Sequence, residues 1–242
     1  MKLVVDVGNS RIKWARIDGG RLGPGRRAER CGSLEKLLDQ LWHVDEAPST
    51  VMISSVAGAD ADAAIERWIT NRWGFRPDWF RSRSETLGLI NGYRDSEQLG
   101  SDRWAALVGA RGLLPGPFGV IDCGTAVTLD VIDERDRHLG GLIGPGLELA
   151  QLSLLAGTAS IGEAGNQAVG LLGRNTADCV ANGTTLGLAG ALERWMAEVE
   201  ESVNGVSWLA TGGAWPRLSS RIRKTVRYDP DLVLKGLARV LE

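Results

Sequence analysis

Short apolar runs that end in a small polar turn occur twice in the chain, 116 positions apart. Residues 3–10 read Leu-Val-Val-Asp-Val-Gly-Asn-Ser, and residues 119–126 read Gly-Val-Ile-Asp-Cys-Gly-Thr-Ala. A second strand-like run follows each turn, at residues 12–17 and 127–132. The pattern predicts two β-hairpins of similar chemistry. The aligned positions are Asp6 with Asp122, Gly8 with Gly124, and Asp18 with Glu134.

The rest of the chain alternates between helical and strand-like patterns. Apolar residues at helical spacing predict helices at residues 34–41, 60–73, from 101, 145–155, 176–201 and from 230. Short apolar runs predict further strands near residues 29–32, 51–56, 78–81, 138–143, 206–210 and 225–228. Ser101 is predicted to cap the third helix, and residues 82–100 and 157–174 are predicted to be irregular. Mixed strands and helices of this kind predict an α/β fold.

The duplicated hairpin also suggests how the chain is divided. A chain of 242 residues is long enough for two small domains. Pro115-Gly116-Pro117 interrupts the pattern just before the second hairpin. We therefore expect two domains, at residues 1–116 and 117–242, with the two hairpins facing each other across a cleft.

Composition and charge narrow the choice of function. The net charge is −2 with acidic and basic residues intermixed, so we expect no nucleic-acid partner. The small basic cluster of Arg26, Arg27 and Arg30 is predicted to be a solvated loop face. Three dispersed cysteines indicate no disulfide framework and favour a reducing, cytoplasmic location. We also expect no signal peptide and no membrane-spanning segment, because no apolar run is long enough.

The two Asp-x-Gly turns are candidate nucleotide-binding elements. Glycine lets backbone N–H groups approach a phosphate closely, and a carboxylate beside it is a ligand that Mg²⁺ accepts. The first turn, Asp6 to Ser10, is followed by Lys13, and the second, Asp122 to Ala126, by Thr128. An ordinary Asn-rich hairpin turn is the alternative explanation for the first. We interpret Cys123, within the second turn, as a small packing residue and not as a nucleophile.

Two other segments carry candidate chemistry. Asp102 and Arg103 lie at a predicted helix start, where an Asp can accept a proton and an Arg can hold an anion. A capping turn with a solvated ion pair is the alternative. Thr211-Gly212-Gly213 follows an apolar run, and its glycines would let an adenine ring lie against the backbone. Glycines 183, 187 and 190 share one face of a predicted helix, which indicates close helix contact within the chain or across a dimer.

Other phosphate-binding motifs do not fit. A P-loop needs Gly-Lys, and none of the lysines follows a glycine. The Gly-x-Gly-x-x-Ala at residues 23–28 lies in an Arg-rich turn, without the preceding strand that a dinucleotide site requires. The sequence thus favours the paired hairpins as the site.

Taken together, these motifs resemble the superfamily of acetate kinase, sugar kinases, Hsp70 and actin, and within it type III pantothenate kinase. The resemblance covers nearly the whole chain, and the order of its motifs is specific. The shared segments are Asp6 to Lys13, Asn91-Gly-Tyr93, Leu99 to Trp104, Asp122 to Thr128, Gly140 to Gly146, Gly173 to Thr176, Thr211 to Gly213 and Leu232 to Gly236.

This resemblance implies a fold of two ribonuclease H-like (actin-like) domains, each a mixed five-stranded sheet flanked by helices, with an interdomain cleft. It also implies transfer of the γ-phosphoryl group of ATP to the terminal hydroxyl of pantothenate, the first step of coenzyme A synthesis. Asp102 would be the general base, and Arg103 would hold the pantothenate carboxylate. The other implied pantothenate-binding residues are Tyr93, Gly100, Ser101 and, across a homodimer interface, Thr176.

The same resemblance implies how ATP and its cations bind. The implied nucleotide-binding residues are Asp6, Val7, Gly8, Asn9, Ser10, Arg11, Lys13, Gly124, Thr125, Thr211, Gly212 and Gly213. Asp6 would bind Mg²⁺, and Asp122 would bind a monovalent cation, K⁺ or NH₄⁺. One departure is Ser96, where the family often has Pro, which loosens the loop without removing a chemical group.

Three other functions remain open from the sequence. A kinase for a different hydroxy acid would use the same residues, since Tyr93 and Arg103 indicate an acidic substrate without naming it. A regulator without catalytic activity is disfavoured by the presence of Asp6, Asp102 and Asp122. A filament-forming actin-like protein is disfavoured because 242 residues leave no room for large insertions.

Overall fold

The computed structural model describes residues 1–42, 47–162, 165 and 170–242. The strands of these residues are β1 (Lys2–Val7), β2 (Arg11–Asp18), β3 (Arg21–Leu22), β4 (Arg26–Glu29), β5 (Thr50–Ser55), β6 (Asp78–Trp79), β7 (Glu85–Thr86), β8 (Leu89–Ile90), β9 (Phe118–Cys123), β10 (Ala126–Ile132), β11 (His138–Pro145), β12 (Ser207–Thr211) and β13 (Arg227–Tyr228). Their α-helices are α1 (Leu34–Leu41), α2 (Ala59–Trp73), α3 (Ser101–Arg111), α4 (Leu147–Gly157), α5 (Thr176–Ser202), α6 (Trp215–Leu218) and α7 (Leu232–Val240).

These elements form two compact units. The first comprises residues 1–115, 136–138 and 231–242, and the second comprises residues 116–135 and 139–230. The final helix α7 therefore packs within the first unit, although the stretch before it belongs to the second. The division into domains at residues 116 and 117 stays a prediction.

The sheet of the first unit has six strands in the order β3-β2-β1-β5-β6, and β4 pairs with β2 beside this path. β1 runs antiparallel to β2 and parallel to β5. The register places Asp6 opposite Lys13 on one side and opposite Ser54 on the other. The middle of this sheet therefore brings one acidic, one basic and one hydroxyl residue to neighbouring strand positions.

Helices cover both faces of that sheet. Val5 and Val7 belong to a core with residues of α1 and α2, while Val4, on the opposite face, is also fully buried. Burial on both faces explains why residues 3–5 of β1, directly before Asp6, are all apolar. Helices α3 and α7 cross closely, since a Cβ on Gly236 would lie 1.8 Å from the carbonyl oxygen of Ala105. Only glycine fits there, because any side chain would meet backbone.

The sheet of the second unit has five strands in the order β11-β10-β9-β12-β13. β9 runs antiparallel to β10 and parallel to β12, so it repeats the arrangement of β1 in the first unit. Its core packs the strands against α5 and α6, with Leu192, Met196 and Trp215 buried. The predicted α/β fold with two mixed sheets flanked by helices is confirmed, and the first sheet has one strand more than predicted.

The sequence pattern misplaced several short elements. The strand predicted at residues 29–32 lies at 26–29 as β4, and the predicted loop at 82–100 contains the hairpin β7–β8 and a short 3-10 helix. Helix α6 was not predicted. Strands of two residues and a helix of four residues are too short to show a periodic pattern of apolar positions in the sequence. Part of the segment at 157–174, predicted to be irregular, lies outside the described residues.

Across the described residues, no helix is both long enough and apolar enough to cross a membrane.

Candidate active site

The first hairpin presents a half-buried carboxylate beside an exposed loop. Asp6 is the penultimate residue of β1, and Lys13 lies opposite it on β2. The N–H of Gly8 donates to the carbonyl oxygen of Arg11 at 2.9 Å, which closes the loop. Asn9 and Ser10 are exposed at its tip. A carboxylate, a lysine and small polar loop residues thus lie at one end of the sheet, and their role as a nucleotide site stays a prediction.

Arg30 contacts this loop, which the sequence did not indicate. Its Nη1 donates to the carbonyl oxygens of Gly8 at 2.7 Å and Asn9 at 3.1 Å. The prediction of a solvated arginine cluster is therefore wrong for Arg30, although Arg26 and Arg27 are exposed. Arg30 follows the short strand β4, and the periodicity of the sequence did not show that β4 pairs with β2.

The start of α3 is attached to the end of β5 by two serines. The hydroxyls of Ser101 and Ser54 lie 2.9 Å apart, and the Ser101 hydroxyl also donates to the Ser55 carbonyl oxygen at 3.2 Å. Gly100 is the N-cap, and Ser101 is the first helical residue. The prediction that Ser101 caps this helix is wrong, because its hydroxyl faces the sheet and not the helix N–H groups.

Asp102 and Arg103 directly follow Ser101 in α3, and the Arg103 side chain contacts Tyr93. The Asp102 carboxylate accepts a hydrogen bond from the Arg103 N–H at 2.7 Å. The Arg103 guanidinium is largely buried, and its Nη1 donates to the Tyr93 hydroxyl at 2.9 Å. It also lies 5.7 Å from the centre of the Tyr93 ring. The solvated ion pair considered as an alternative does not describe this buried arginine.

Tyr93 is in turn positioned by Asn91 and His138. Its N–H donates to the Asn91 side-chain oxygen at 3.0 Å, while its ring stacks on His138 at 5.6 Å between centres. A Cβ on Gly92 would lie 1.8 Å from the His138 carbonyl oxygen, so only glycine allows this approach. The Asn-Gly-Tyr segment therefore places the tyrosine hydroxyl against Arg103.

The second unit repeats the strand-end carboxylate. Asp122, on β9, lies opposite Thr128 of β10 and Thr211 of β12. The N–H of Gly124 donates to the carbonyl oxygen of Ala126 at 3.0 Å, so this loop is one residue shorter than the first. Thr128 therefore occupies the position that Lys13 has in the first hairpin. The shorter loop also shifts the later alignment, and Asp133, not Glu134, corresponds to Asp18.

The segment after β12 packs directly against the second hairpin. Gly212 has a φ of +89°, and a Cβ there would lie 2.4 Å from the Cys123 carbonyl carbon and oxygen. Only glycine fits this position. Cys123 is fully buried in the core of the second unit, so it packs as predicted, and this burial, with the nearby Asp122 carboxylate, raises the pKa of its thiol. Thr125 is exposed beside it, and Thr176 is exposed at the start of α5.

The donor set suits Mg²⁺ bound together with phosphates. Among the described residues, no group of three or more His, Cys, Asp or Glu side chains could hold a metal ion by itself. Mg²⁺ usually keeps several waters and binds one or two carboxylates together with substrate phosphates. A single carboxylate such as Asp6 at the end of a strand is compatible with that mode of binding.

Two mixed sheets, each with an Asp-x-Gly hairpin in the middle, give the chain the fold of sugar kinases and actin-like ATPases. Within this class, the chain belongs to the type III pantothenate kinase family, whose model matches residues 2–198. Members of this family are kinases that phosphorylate pantothenate in coenzyme A biosynthesis. The prediction of the family from the sequence motifs is confirmed.

Relatives of this family align over almost the full length of the chain. A type III pantothenate kinase of Nitrosococcus oceani is 36% identical over 251 residues, which cover 99% of this chain and 93% of the relative. One of Alkalilimnicola ehrlichii is 38% identical over 241 residues, which cover 98% and 96%. The similarity therefore extends over both units of the chain and is not confined to one of them.

Solved structures support the fold. A Baf family transcriptional activator from Campylobacter jejuni has a TM-score of 0.59 at 20% identity, covering 99% of this chain and 96% of that one. A 2-dehydro-3-deoxygalactonokinase from Sinorhizobium meliloti has a TM-score of 0.57 at 15% identity, covering 99% and 98%. At these identities the likeness concerns the fold, and it does not favour regulation over catalysis.

Proposed function

We propose that the chain transfers the γ-phosphoryl group of ATP to the terminal hydroxyl of pantothenate, with Asp102 as the general base. The hydroxyl oxygen attacks the γ-phosphorus while the bond to the β–γ bridging oxygen breaks, and ADP leaves. The hydroxyl proton passes to the Asp102 carboxylate. The position of Asp102 at the helix start, fixed by Ser101 and next to a buried arginine, is the observation that carries this assignment.

Arg103 is the group we assign to the pantothenate carboxylate. Its guanidinium is largely buried, and the Tyr93 hydroxyl accepts one of its hydrogen bonds. A buried guanidinium favours a negatively charged ligand, since charge-assisted hydrogen bonds strengthen away from water. Tyr93, Gly100 and Ser101 complete this substrate group in our proposal, Ser101 by fixing the helix start.

Both hairpins are assigned to ATP and its cations. In the first, Asp6 to Arg11 and Lys13 would contact the phosphates, with Asp6 as a ligand of Mg²⁺. In the second, Gly124, Thr125 and the Thr211-Gly212-Gly213 segment would contact the nucleotide, and Asp122 would hold K⁺ or NH₄⁺. Cations bound there would offset the charge of the triphosphate as it reacts.

We also propose that the enzyme is a cytoplasmic homodimer, in which Thr176 reaches the pantothenate of the neighbouring subunit. The second unit exposes large apolar side chains on several elements. They include Leu142, Ile143, Leu149, Leu152, Leu171, Leu172 and Leu186. A Cβ on Gly183, Gly187 or Gly190 would meet nothing within 4 Å in the described part of the chain. The glycine face of α5 thus makes no close contact within that part, which favours a second copy as its partner.

Light scattering tests the dimer. We expect Gly187→Leu to shift the dimer toward monomer, because a leucine would separate two helices that meet at glycine. Glu201→Leu is the control, since it adds the same side chain about 21 Å further along α5, at roughly 1.5 Å per residue. An unchanged dimer in the Gly187 variant would remove the glycine face from the interface.

The reaction itself is tested by measuring ADP formation and phosphopantothenate together, with Mg²⁺ in sodium and then in potassium buffer. Phosphorylation that depends on potassium supports the substrate, the reaction and the cation site. If turnover is equally fast in both buffers, only the assignment of a monovalent cation to Asp122 is overturned, and the reaction and the substrate stand. No phosphopantothenate from folded protein in either buffer would contradict the assigned acceptor.

A further inference from the structure

Three successive carbonyl groups of the first loop are bound by one residue. The Arg30 guanidinium binds the carbonyl oxygens of Gly8 and Asn9 at 2.7 and 3.1 Å. The Arg30 N–H donates to the carbonyl oxygen of Ser10 at 2.9 Å. Arg30 lies directly after β4, which pairs with β2 along Arg11 to Trp14. The loop is therefore attached to the edge of the sheet at each of its three residues.

This pattern determines where the loop presents its N–H groups. In a planar trans peptide the carbonyl group and the N–H of the next residue point in opposite directions. The structure contains no cis peptide bonds among its described residues. Since the carbonyl groups of residues 8, 9 and 10 point toward Arg30, the N–H groups of residues 9, 10 and 11 point away from it. Successive N–H groups on one side of a loop are an arrangement that binds anions.

We infer that Arg30 is a positioning residue for the phosphates of ATP, which it orients through the backbone of the loop. This inference rests on the proposed function of the first hairpin in phosphate binding. Arg30 does not touch the nucleotide in this proposal. It holds the loop so that its N–H groups are preorganised before ATP binds, which removes part of the ordering cost from binding.

The chemistry of arginine suits this role better than that of lysine. One guanidinium nitrogen contacts two carbonyl oxygens here, and the rigid fork holds both in a fixed geometry. A lysine ammonium is a compact group on a flexible stem, and it would order the two carbonyls less well. The positive charge also counters the negative ends of three aligned carbonyl dipoles on the same side of the loop.

Steady-state kinetics of three variants tests the inference, with circular dichroism and thermal melting to show that each variant is folded. We expect Arg30→Ala to raise the KM for ATP by roughly tenfold or more, the effect of about 1.4 kcal/mol of lost binding, with little change in the KM for pantothenate. Arg30→Lys should give an intermediate KM for ATP. Arg26→Ala is the matched control, since it removes an exposed arginine from β4, the strand that directly precedes Arg30, and should change neither constant.

Four results would overturn the inference. Full recovery by Arg30→Lys would mean that charge alone matters, and equal increases in both KM values would mean a general structural role. Lys13→Ala, measured together with the Arg30 variants, distinguishes failure of the inference about Arg30 from failure of the proposal that the first hairpin binds phosphates. If Lys13→Ala raises the KM for ATP while Arg30→Ala does not, Arg30 has no positioning role. If neither variant affects ATP, the first hairpin is not the phosphate site, and the inference fails with that assignment.

Discussion

The hydroxyl groups of Ser54 and Ser101 lie 2.9 Å apart in the interior of the first unit. Ser54 lies beside Asp6 in the sheet, and Ser101 immediately precedes Asp102 in α3. One buried hydrogen bond therefore connects the strand end that carries the proposed Mg²⁺ ligand with the helix start that carries the proposed base. This contact therefore fixes the relative positions of two residues that we propose act together in phosphoryl transfer.

Removing one of these hydroxyls should affect both stability and turnover. We expect Ser101→Ala to destabilise the fold by about 1–3 kcal/mol, because it leaves the buried Ser54 hydroxyl without its partner. A small shift of the helix start would lower turnover, by at most about 100-fold for a displacement near 1 Å. Urea unfolding and kcat measure the two effects.

The double variant Ser54→Ala/Ser101→Ala provides the control. Its cost in unfolding free energy should be less than the sum of the single costs, since the two residues share one interaction. Strictly additive costs would show that the two hydroxyls act independently.

Asp102 is expected to act in the chemical step and not in nucleotide binding. Asp102→Asn keeps the size of the side chain and an oxygen that can accept the Arg103 N–H hydrogen bond. It removes the basic carboxylate, so turnover should fall by roughly 100-fold or more. Steady-state kinetics and a separate ATP titration distinguish the two effects. Near-normal turnover, with ATP binding intact, would remove Asp102 from the mechanism.

The stability of the second unit should depend on pH through Glu200. Hydrogen bonds from Lys224 and then from Trp208 lower the pKa of this carboxyl below its ordinary value of 4.5. A lowered pKa in the folded state means that the stabilisation is present above the unfolded pKa. It is lost as the pH falls through the folded pKa. The contribution at neutral pH is no more than about 1 kcal/mol, because the pair is partly exposed and screened.

We therefore expect Glu200→Gln to lower the free energy of unfolding at pH 7 and to have little effect well below pH 4.5. Urea unfolding at several pH values measures this difference. Glu201→Gln, one residue further along α5 and exposed, is the control. A Glu200→Gln effect that stays constant down to low pH would show that the interaction does not depend on the carboxylate charge.

The sequence predicted the elements whose pattern is local. The two hairpins, the long helices and the strand-end carboxylates were all placed correctly, because apolar periodicity and Asp-x-Gly turns are visible within a few residues. Arg30 and Ser54 were not predicted as parts of the site. Their contacts join residues more than 20 positions apart, and such contacts depend on strand pairing that a single sequence does not show.

The glycines also show what a sequence can and cannot predict. The sequence predicts that Gly212 contacts a ligand, and the structure adds a separate reason for glycine there: the backbone of Cys123 lies 2.4 Å from where a Cβ would be. Gly92 and Gly236 likewise avoid contact with backbone from distant segments. A sequence shows that a glycine is present, but the atom it avoids is known only once the chain is folded.

The hydroxyl of Tyr93 should matter for pantothenate binding through Arg103. Tyr93→Phe keeps the ring stacked on His138 and beneath the guanidinium, and it removes only the acceptor 2.9 Å from Nη1 of Arg103. We expect the KM for pantothenate to rise roughly tenfold, since a hydrogen bond to a charged group contributes about 1.5–3 kcal/mol. The KM for ATP should stay unchanged. Tyr93→Ala removes the ring as well and should raise the KM for pantothenate further. If Tyr93→Phe binds pantothenate normally while Tyr93→Ala does not, the ring alone positions Arg103.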